Sequence, residues 1–231
     1  VLLSGGVDSA TCLGMAVDCY GNKEVTALSI YYGQKHEKEL ACAKKLAEHY
    51  GVQHIVRDIS SIMELSDCCL LKNSKNEIKH TTYAEQLKEL GGEGTVSTYV
   101  PFRNGLMLSS AASLAYSLGG CEVWYGAHAD DAAGRAYPDC TPEFVYAMRK
   151  AILEGTGGQL TLRAPLIMFN KGEVVKAGLS LKVPYRFTWS CYEGGEKPCG
   201  VCGTCRDRAH AFEVNGCLLY TSPSPRDYAA S

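Results

Sequence analysis

The chain has 231 residues, a hydrophobic fraction of 46% and a formal net charge of −2 at pH 7. That length can bury one sizeable core with an appendage, and a near-neutral charge without a long Lys/Arg block argues against a nucleic-acid footprint. No apolar run approaches the roughly 18 residues of a membrane span, and no signal-peptide pattern opens the chain, so neither nucleic acid nor membrane is expected as a partner.

The chain opens inside an apolar run, Val1-Leu2-Leu3, without an initiator Met, so a few native residues are expected to precede it. Ser4-Gly5-Gly6-Val7-Asp8-Ser9 follows directly and leads into a helical pattern, which reads as strand, tight loop, helix. Glycine lets backbone N–H groups approach a phosphate closely and accepts positive φ. The helix start adds unpaired N–H donors and partial positive charge. The pattern G-x-x-x-x-G-K-[ST] is absent, so no loop lysine serves the β- and γ-phosphates. The motif points instead to pyrophosphate as a leaving group, with ATP cut between its α- and β-phosphates. A plain helix cap by Ser4 or Asp8 is the structural alternative.

Residues 25–32 read as a second strand, 36–50 as a helix and 54–59 as a third strand. This alternation predicts an α/β fold, doubly wound on a mainly parallel sheet. Residues 61–97 break the rhythm with polar and glycine-punctuated sequence and only a weak helical patch around 83–90; the span is expected to form a mobile lid over an active site, with disorder as the alternative. Helix is predicted again over 103–118, strand over 122–125, helix over 142–154 with Pro142 in its first turn, strand over 162–167 and helix over 171–181. Residues 217–231 have no periodicity and are expected to be a read-through or appended scar outside the fold.

Twelve cysteines without a secretion signal point to thiols or metal ligands and a cytoplasmic location. Cys191, Cys199, Cys202 and Cys205 are spaced C-x7-C-x2-C-x2-C, with Gly200 and Gly203 in the turns. Such spacing brings thiolates onto one cation and predicts a closed, structural Zn2+ site, one per chain. An iron–sulfur cluster is the rival, since C-x2-C-x2-C also occurs in ferredoxins. A segment so rich in Gly and charge cannot bury enough apolar area to fold alone, so metal binding is expected to hold it. The expected organisation is a main domain over 1–184 and a small C-terminal zinc-binding segment over 185–216.

Ligands of open parallel sheets bind beyond the carboxyl ends of the strands. His128, Asp130 and Asp131 follow a predicted strand and should therefore share an edge with the Ser4–Ser9 loop. They are candidates for Mg2+ binding, proton transfer or substrate contact, with a helix-capping turn as the alternative. Arg103 opens a predicted helix, where a cation opposes the helix dipole, so a nearby anion such as triphosphate is expected. Lys171 carries the same argument more weakly. Asp139, in a turn after Pro138, is a candidate for guanidine-like N–H groups of a purine analogue, whereas Cys140 reads as a structural thiol.

Ser-Gly-Gly-Val-Asp-Ser resembles the signature of the PP-loop ATP pyrophosphatases, which implies an adenine nucleotide alpha-hydrolase-like fold. It also implies adenylation of a substrate oxygen followed by attack of a nitrogen or sulfur nucleophile. Further stretches narrow the resemblance: Thr98-Tyr99-Val100-Pro101-Phe102-Arg103-Asn104, then Gly126-Ala127-His128-Ala129-Asp130-Asp131-Ala132. Tyr137-Pro138-Asp139-Cys140-Thr141-Pro142-Glu143-Phe144 and Thr188-Trp189-Ser190-Cys191-Tyr192 complete the set. Together they resemble the nitrile-forming 7-cyano-7-deazaguanine synthase family of queuosine biosynthesis, from residue 1 to about residue 215. The resemblance implies that 7-carboxy-7-deazaguanine and ammonia become 7-cyano-7-deazaguanine through adenylation, amide formation and dehydration, with Mg2+ accompanying ATP. It implies ATP binding by Leu3, Ser4, Gly5, Gly6, Val7, Asp8, Ser9, Ala10, Thr11, Cys12 and Leu13. Asp8, Arg103, His128 and Asp130 would be catalytic, Asp130 and Asp139 would bind substrate, and the protein would be a homodimer. Two other readings are another PP-loop amidating or tRNA-modifying enzyme, the latter expected to show a basic surface, and a zinc-ribbon adaptor, which would not consume ATP.

Overall fold

The computed structural model describes residues 1–81 and 83–217; the tail from 218 onward, expected to be foreign, lies outside the described residues. Strand β1 (Thr26–Tyr31) pairs in parallel with β2 (Gln53–Asp58), and β3 (Glu122–Trp124) pairs in parallel with β4 (Thr161–Arg163). The opening apolar run is too short to make a ladder, yet it joins the two pairs. Leu3 N–H donates to Leu28 O at 2.8 Å, Leu28 N–H to Val1 O at 2.8 Å and Leu2 N–H to Trp124 O at 3.0 Å. The spatial order is therefore β2, β1, residues 1–3, β3, β4. The predicted strand over 162–167 starts one residue early and stops at Arg163, because Pro165 has no N–H to offer a ladder.

Side-chain alternation along these strands feeds two cores. Leu3, Ala27 and Trp124 face one side, where α1 (Val7–Tyr20), α2 (Lys38–Tyr50), α7 (Lys171–Ser180) and α8 (Gly203–Glu213) pack. Leu28, Ile30, Val123 and Tyr125 face the other, covered by α4 (Arg103–Ser117) and α6 (Pro142–Gly155). Between these come α3 (Tyr83–Glu89) and the short α5 (Ala129–Ala132). Helices on both faces of a parallel sheet give the expected doubly wound α/β fold. Fully buried Leu13, Leu108 and Leu162 each contribute about 1.5–3 kcal/mol of transfer free energy. No helix among the described residues is long and apolar enough to cross a membrane.

Two expectations need correction. The span 61–97 carries the foreseen helical patch as α3, but it is packed rather than loose: Met63, Cys68, Cys69, Leu70 and Leu71 pack with Tyr32 and Val100 as a third core. Gln86 in α3 is buried and accepts from Ser97 N–H at 3.2 Å. The C-terminal segment, in turn, is not held by metal ligands alone. It contains the unpredicted helix α8, whose Ala211 and Phe212 join the same core as Leu3 and Val7. Tyr185 is buried there too, its hydroxyl 2.7 Å from Thr11 Oγ1. Arg208, only 5% exposed, donates to Tyr185 O and Ser190 Oγ, each at 3.2 Å.

Gly5 shows why the loop after residue 3 tolerates one residue type. Its φ is +93°, and a Cβ there would overlap the carbonyl of Glu39 and lie 2.9 Å from Ala43 N in α2. Gly5→Ala is expected to lower stability by about 2–3 kcal/mol in urea titration. Gly119→Ala, at positive φ but in open space, is expected to cost only about 1 kcal/mol.

Candidate active site

A cavity of ≈ 660 Å3 opens at the carboxyl ends of β1 and β3, lined on one side by the loop leading into α1. Leu3, Ser4, Gly6, Val7, Asp8 and Ser9 face it, whereas Gly5 backs onto α2. The other four residues expected to contact ATP do not line the cavity. Ala10, Thr11, Cys12 and Leu13 are fully buried, because the first turn of α1 rotates them into the core. Burial there pushes the Cys12 thiol up to about 12.

Ser9 braces the loop: its hydroxyl accepts from Ser4 N–H at 3.2 Å and Gly5 N–H at 3.3 Å. Ser4 Oγ lies 3.0 Å from Ser9 Oγ and accepts from Gly6 N–H at 3.2 Å. The glycine N–H groups are thus engaged within the loop. The donors left for an anion are the Ser4 hydroxyl and the first N–H groups of α1.

The lysine missing from the loop arrives from elsewhere. Lys171, the first residue of α7, places Nζ 2.6 Å from both oxygens of Asp8 and 3.3 Å from His128 Nε2. Asn170 fixes that helix start through a capping box with Glu173. His128 Nε2 also lies 3.3 Å from Asp131 Oδ2 and 3.6 Å from Asp8 Oδ1. Its Nδ1 is buried without a hydrogen-bond partner. Gly126 permits the convergence, since a Cβ there would come within 3.1 Å of the Asp8 backbone. Burial opposes ionisation of Asp8, but Lys171 and His128 outweigh it and hold the carboxyl below its usual range. Burial likewise opposes the Lys171 charge, and Asp8 and Asp131 outweigh it, so its pKa rises. Asp131 lacks so close a cation, and burial raises it. Asp130 lines the cavity as well, but its Oδ2 accepts from Lys171 N–H at 2.7 Å and so helps cap α7.

At the other end of the cavity Arg103 lies 5.0 Å from the Tyr32 ring centroid and donates to the Tyr32 hydroxyl at 3.2 Å. Burial works against its charge, but Tyr32, Asp139 and Cys140 outweigh that and raise its pKa. The anion expected at this helix start is supplied by the protein itself. Asp139 Oδ2 accepts from Asn104 N–H at 2.9 Å. Asp139 is buried and does not line the cavity; one of its oxygens caps α4, and the other, Oδ1, has no hydrogen-bond partner among the described residues. Cys140 is tied to Asn104 Nδ2 at 3.3 Å and Tyr125 Oη at 3.4 Å, and burial raises its thiol well above the usual value.

Sulfur atoms of Cys191, Cys199, Cys202 and Cys205 all lie within 4.8 Å of one another. A tetrahedral thiolate site with arms of about 2.3 Å puts sulfurs about 3.8 Å apart, so the cluster fits a structural metal. Backbone N–H groups of Cys199 and Cys202 donate to Cys191 Sγ and Cys199 Sγ, each at 3.3 Å, as in knuckles that stabilise thiolates. Hydrogen bonds from Cys191 and Cys205 favour the thiolate at Cys202. The helix that begins here turns Thr204, Asp207 and His210 toward the cavity, beside Lys171. Those three residues, with Glu39 and Tyr32, escaped the sequence reading. The i, i+3, i+6 spacing of 204, 207 and 210 was the available signal.

Lys171→Met is expected to destabilise the protein at neutral pH by about 3 kcal/mol, because it strands a mostly buried carboxylate. The pH slope should distinguish the cause. In the wild type, the folded-state pKa of Asp8 is depressed, so its contribution is present above the ordinary aspartate value of 3.8 and lost only as pH falls through the lower folded value. In the variant, burial without Lys171 raises the Asp8 pKa, so acidification from pH 7 toward pH 4 should recover stability. Thermal melts across that range read both slopes.

Comparison with known proteins places this geometry in a family. The family model described as queuosine biosynthesis protein QueC matches residues 1–216. The 7-cyano-7-deazaguanine synthase of Archaeoglobus fulgidus is 43% identical over 217 residues, covering 94% of this chain and 86% of that one. The enzyme of the same name from Caldicellulosiruptor saccharolyticus is 44% identical over 216 residues, covering 94% and 91%. Among solved structures, NMN synthetase from Francisella tularensis aligns with a TM-score of 0.50 at 17% identity, over 99% of this chain and 79% of that one. The U34-tRNA thiolase NcsA from Methanococcus maripaludis, with its [4Fe-4S] cluster, aligns at 0.50 and 16% identity, over 93% and 65%. At such identities these two similarities establish the shared fold. By the match along nearly its whole described length, the chain belongs to the queuosine biosynthesis protein QueC family.

Proposed function

We propose that this protein converts 7-carboxy-7-deazaguanine and ammonia to 7-cyano-7-deazaguanine, with one ATP cleaved to AMP and pyrophosphate at each of two activations. The observation that carries this reading is end-to-end relatedness, above 40% identity, to enzymes named for that product. The chemistry suits the cavity. A carboxylate oxygen, and later the amide oxygen, attacks the α-phosphate, so a poor leaving group departs as AMP. The protein's part is to align the reactants and balance charge. Ser4, the start of α1 and Lys171 would hold the pyrophosphate portion of ATP, with His128 beside them. Arg103 would meet the carboxylate substrate or its adenylate at the opposite end.

Four carboxylates, Asp8, Asp130, Asp131 and Asp207, surround one ammonium at the phosphate end. A triphosphate needs added positive charge there. Mg2+ bound through one or two of these acids and the phosphate oxygens would provide it. Zn2+ is the metal best suited to four thiolates with glycine-bearing turns, in a structural role. The family resemblance supports a cytoplasmic homodimer.

Incubation with MgATP, isotope-labelled ammonium and 7-carboxy-7-deazaguanine should give labelled nitrile, AMP and pyrophosphate by mass spectrometry. AMP without nitrile would keep the adenylating site and move the substrate elsewhere. Elemental analysis should find one zinc per chain and no visible absorption band, and Cys202→Ser should lose the metal. Iron with visible bands would overturn the zinc assignment.

A further inference from the structure

Nitrogen transfer demands a base that the residues discussed so far do not supply. Ammonium has no lone pair, and an amide nitrogen must lose both protons to become a nitrile. Five carboxylates line the cavity. Asp8 is clamped by Lys171, Asp130 caps α7 and Asp131 pairs with His128. Asp207 stands among acids beside Lys171, where phosphate charge will lie.

Glu39 is different. It lines the cavity from the first turn of α2, and among the described residues its carboxylate has no hydrogen bond and no ion pair closer than 4 Å. Its backbone carbonyl abuts Gly5 of the loop, and its carboxylate is near enough to Arg103 to feel that charge. The cavity's histidines are placed for other work. His128 belongs to the Asp8–Lys171 cluster, His36 lies against the backbone of Cys191 and Tyr192, and His210 is exposed at the rim.

We propose that Glu39 is the proton acceptor of the nitrogen-transfer steps; this rests on the reaction assigned under Proposed function. In the first round the Glu39 carboxylate takes a proton from ammonium, giving ammonia and a carboxylic acid. The nitrogen lone pair forms the C–N bond, the C–O bond to AMP breaks, and the surplus proton on nitrogen leaves through Glu39 once solvent has re-ionised it. In the second round the adenylated amide gives up its two N–H protons one after the other to Glu39, which solvent re-ionises between them; as the second leaves, the C–O bond breaks, AMP departs and the C≡N bond forms. Burial pushes the Glu39 carboxyl up to about 7, with Arg103 opposing the rise. Tyr32 and Cys42 are its other titratable neighbours. A group titrating near working pH can both accept and release a proton.

The test is Glu39→Gln, assayed in three ways. ATP–pyrophosphate exchange driven by the carboxylate substrate should be unchanged, which also establishes an intact site. Nitrile formation from ammonium at pH 7 should fall about a hundred-fold or more, with loss of the wild-type rise in rate through about pH 7. Hydroxylamine is largely unprotonated at neutral pH, so hydroxamate formation should survive. A wild-type rate with ammonium, or loss of exchange together with nitrile, would overturn the proposal, the second result making Glu39 a substrate-binding group. Unsubstituted protein that exchanges pyrophosphate but forms no nitrile would remove the reaction itself, and the proposal with it.

Discussion

The contact between Lys171 Nζ and both oxygens of Asp8, at 2.6 Å, joins the first turns of α7 and α1. The phosphate end of the cavity exists because those two helices begin at the same place. Val174 and Val175, one turn into α7, share a core with Val7, Ala10 and Leu13 of α1, so apolar packing fixes the helix axes. Asn170 and Asp130 then fix where α7 starts. Gly126 lets the chain after β3 lie against Asp8 and deliver His128. With that contact broken, each of these groups remains, but a carboxylate is left buried beside two other acids.

This arrangement explains how a phosphate loop can lack its own lysine. A lysine within the loop would be positioned by a few backbone dihedrals. Lys171 is positioned instead by a helix start 163 residues away along the chain, so the charge reaches the loop only once the domain is assembled. The same dependence applies to the cysteine cluster. Cys202 caps α8 and Cys205 lies in its first turn, while Asp207 on the next turn faces Lys171. A metal held by the four sulfurs would therefore fix one wall of the nucleotide site as well as a peripheral segment. Arg208 reinforces that wall from inside: burial lowers its pKa to about 10, yet its guanidinium holds Tyr185 O and Ser190 Oγ.

Much of this was legible in the sequence where the signal is local. Alternating strands and helices, the Gly-Gly loop and the four-cysteine spacing each follow from neighbours along the chain, and the helices at 38–50, 103–117, 142–155 and 171–180 appear within a few residues of expectation. What escaped depends on distant partners. Asp139 reads as a ligand-facing acid because nothing local reveals that it will cap α4 through Asn104. Glu39 reads as one more charge on an amphipathic helix, because only folding brings the loop and Arg103 near it. Helix α8 was hidden by its own function: glycines and ligand spacing mask the burial of Cys205, Arg208 and Phe212 along one face. The burial of residues 68–71 is not legible locally, because their partners, Tyr32 and Val100, come from elsewhere in the chain.

The two ends of the cavity differ in how their charges are committed, and this difference suits a reaction that runs twice. At the Asp8 end most acids already face a cation or a backbone donor. At the Arg103 end a permanent cation lies near a carboxyl that, among the described residues, no hydrogen bond holds. A site that must bind a carboxylate first and a neutral amide next gains from that division. In its proposed place against the substrate, Arg103 would favour the anionic carboxylate over the amide, which would help an activated group replace the one before it. Glu39 can follow the change in charge by taking or losing one proton, whereas Asp8, held by Lys171, cannot. The phosphate end must stay constant between the rounds, and the end that meets the changing substrate must not.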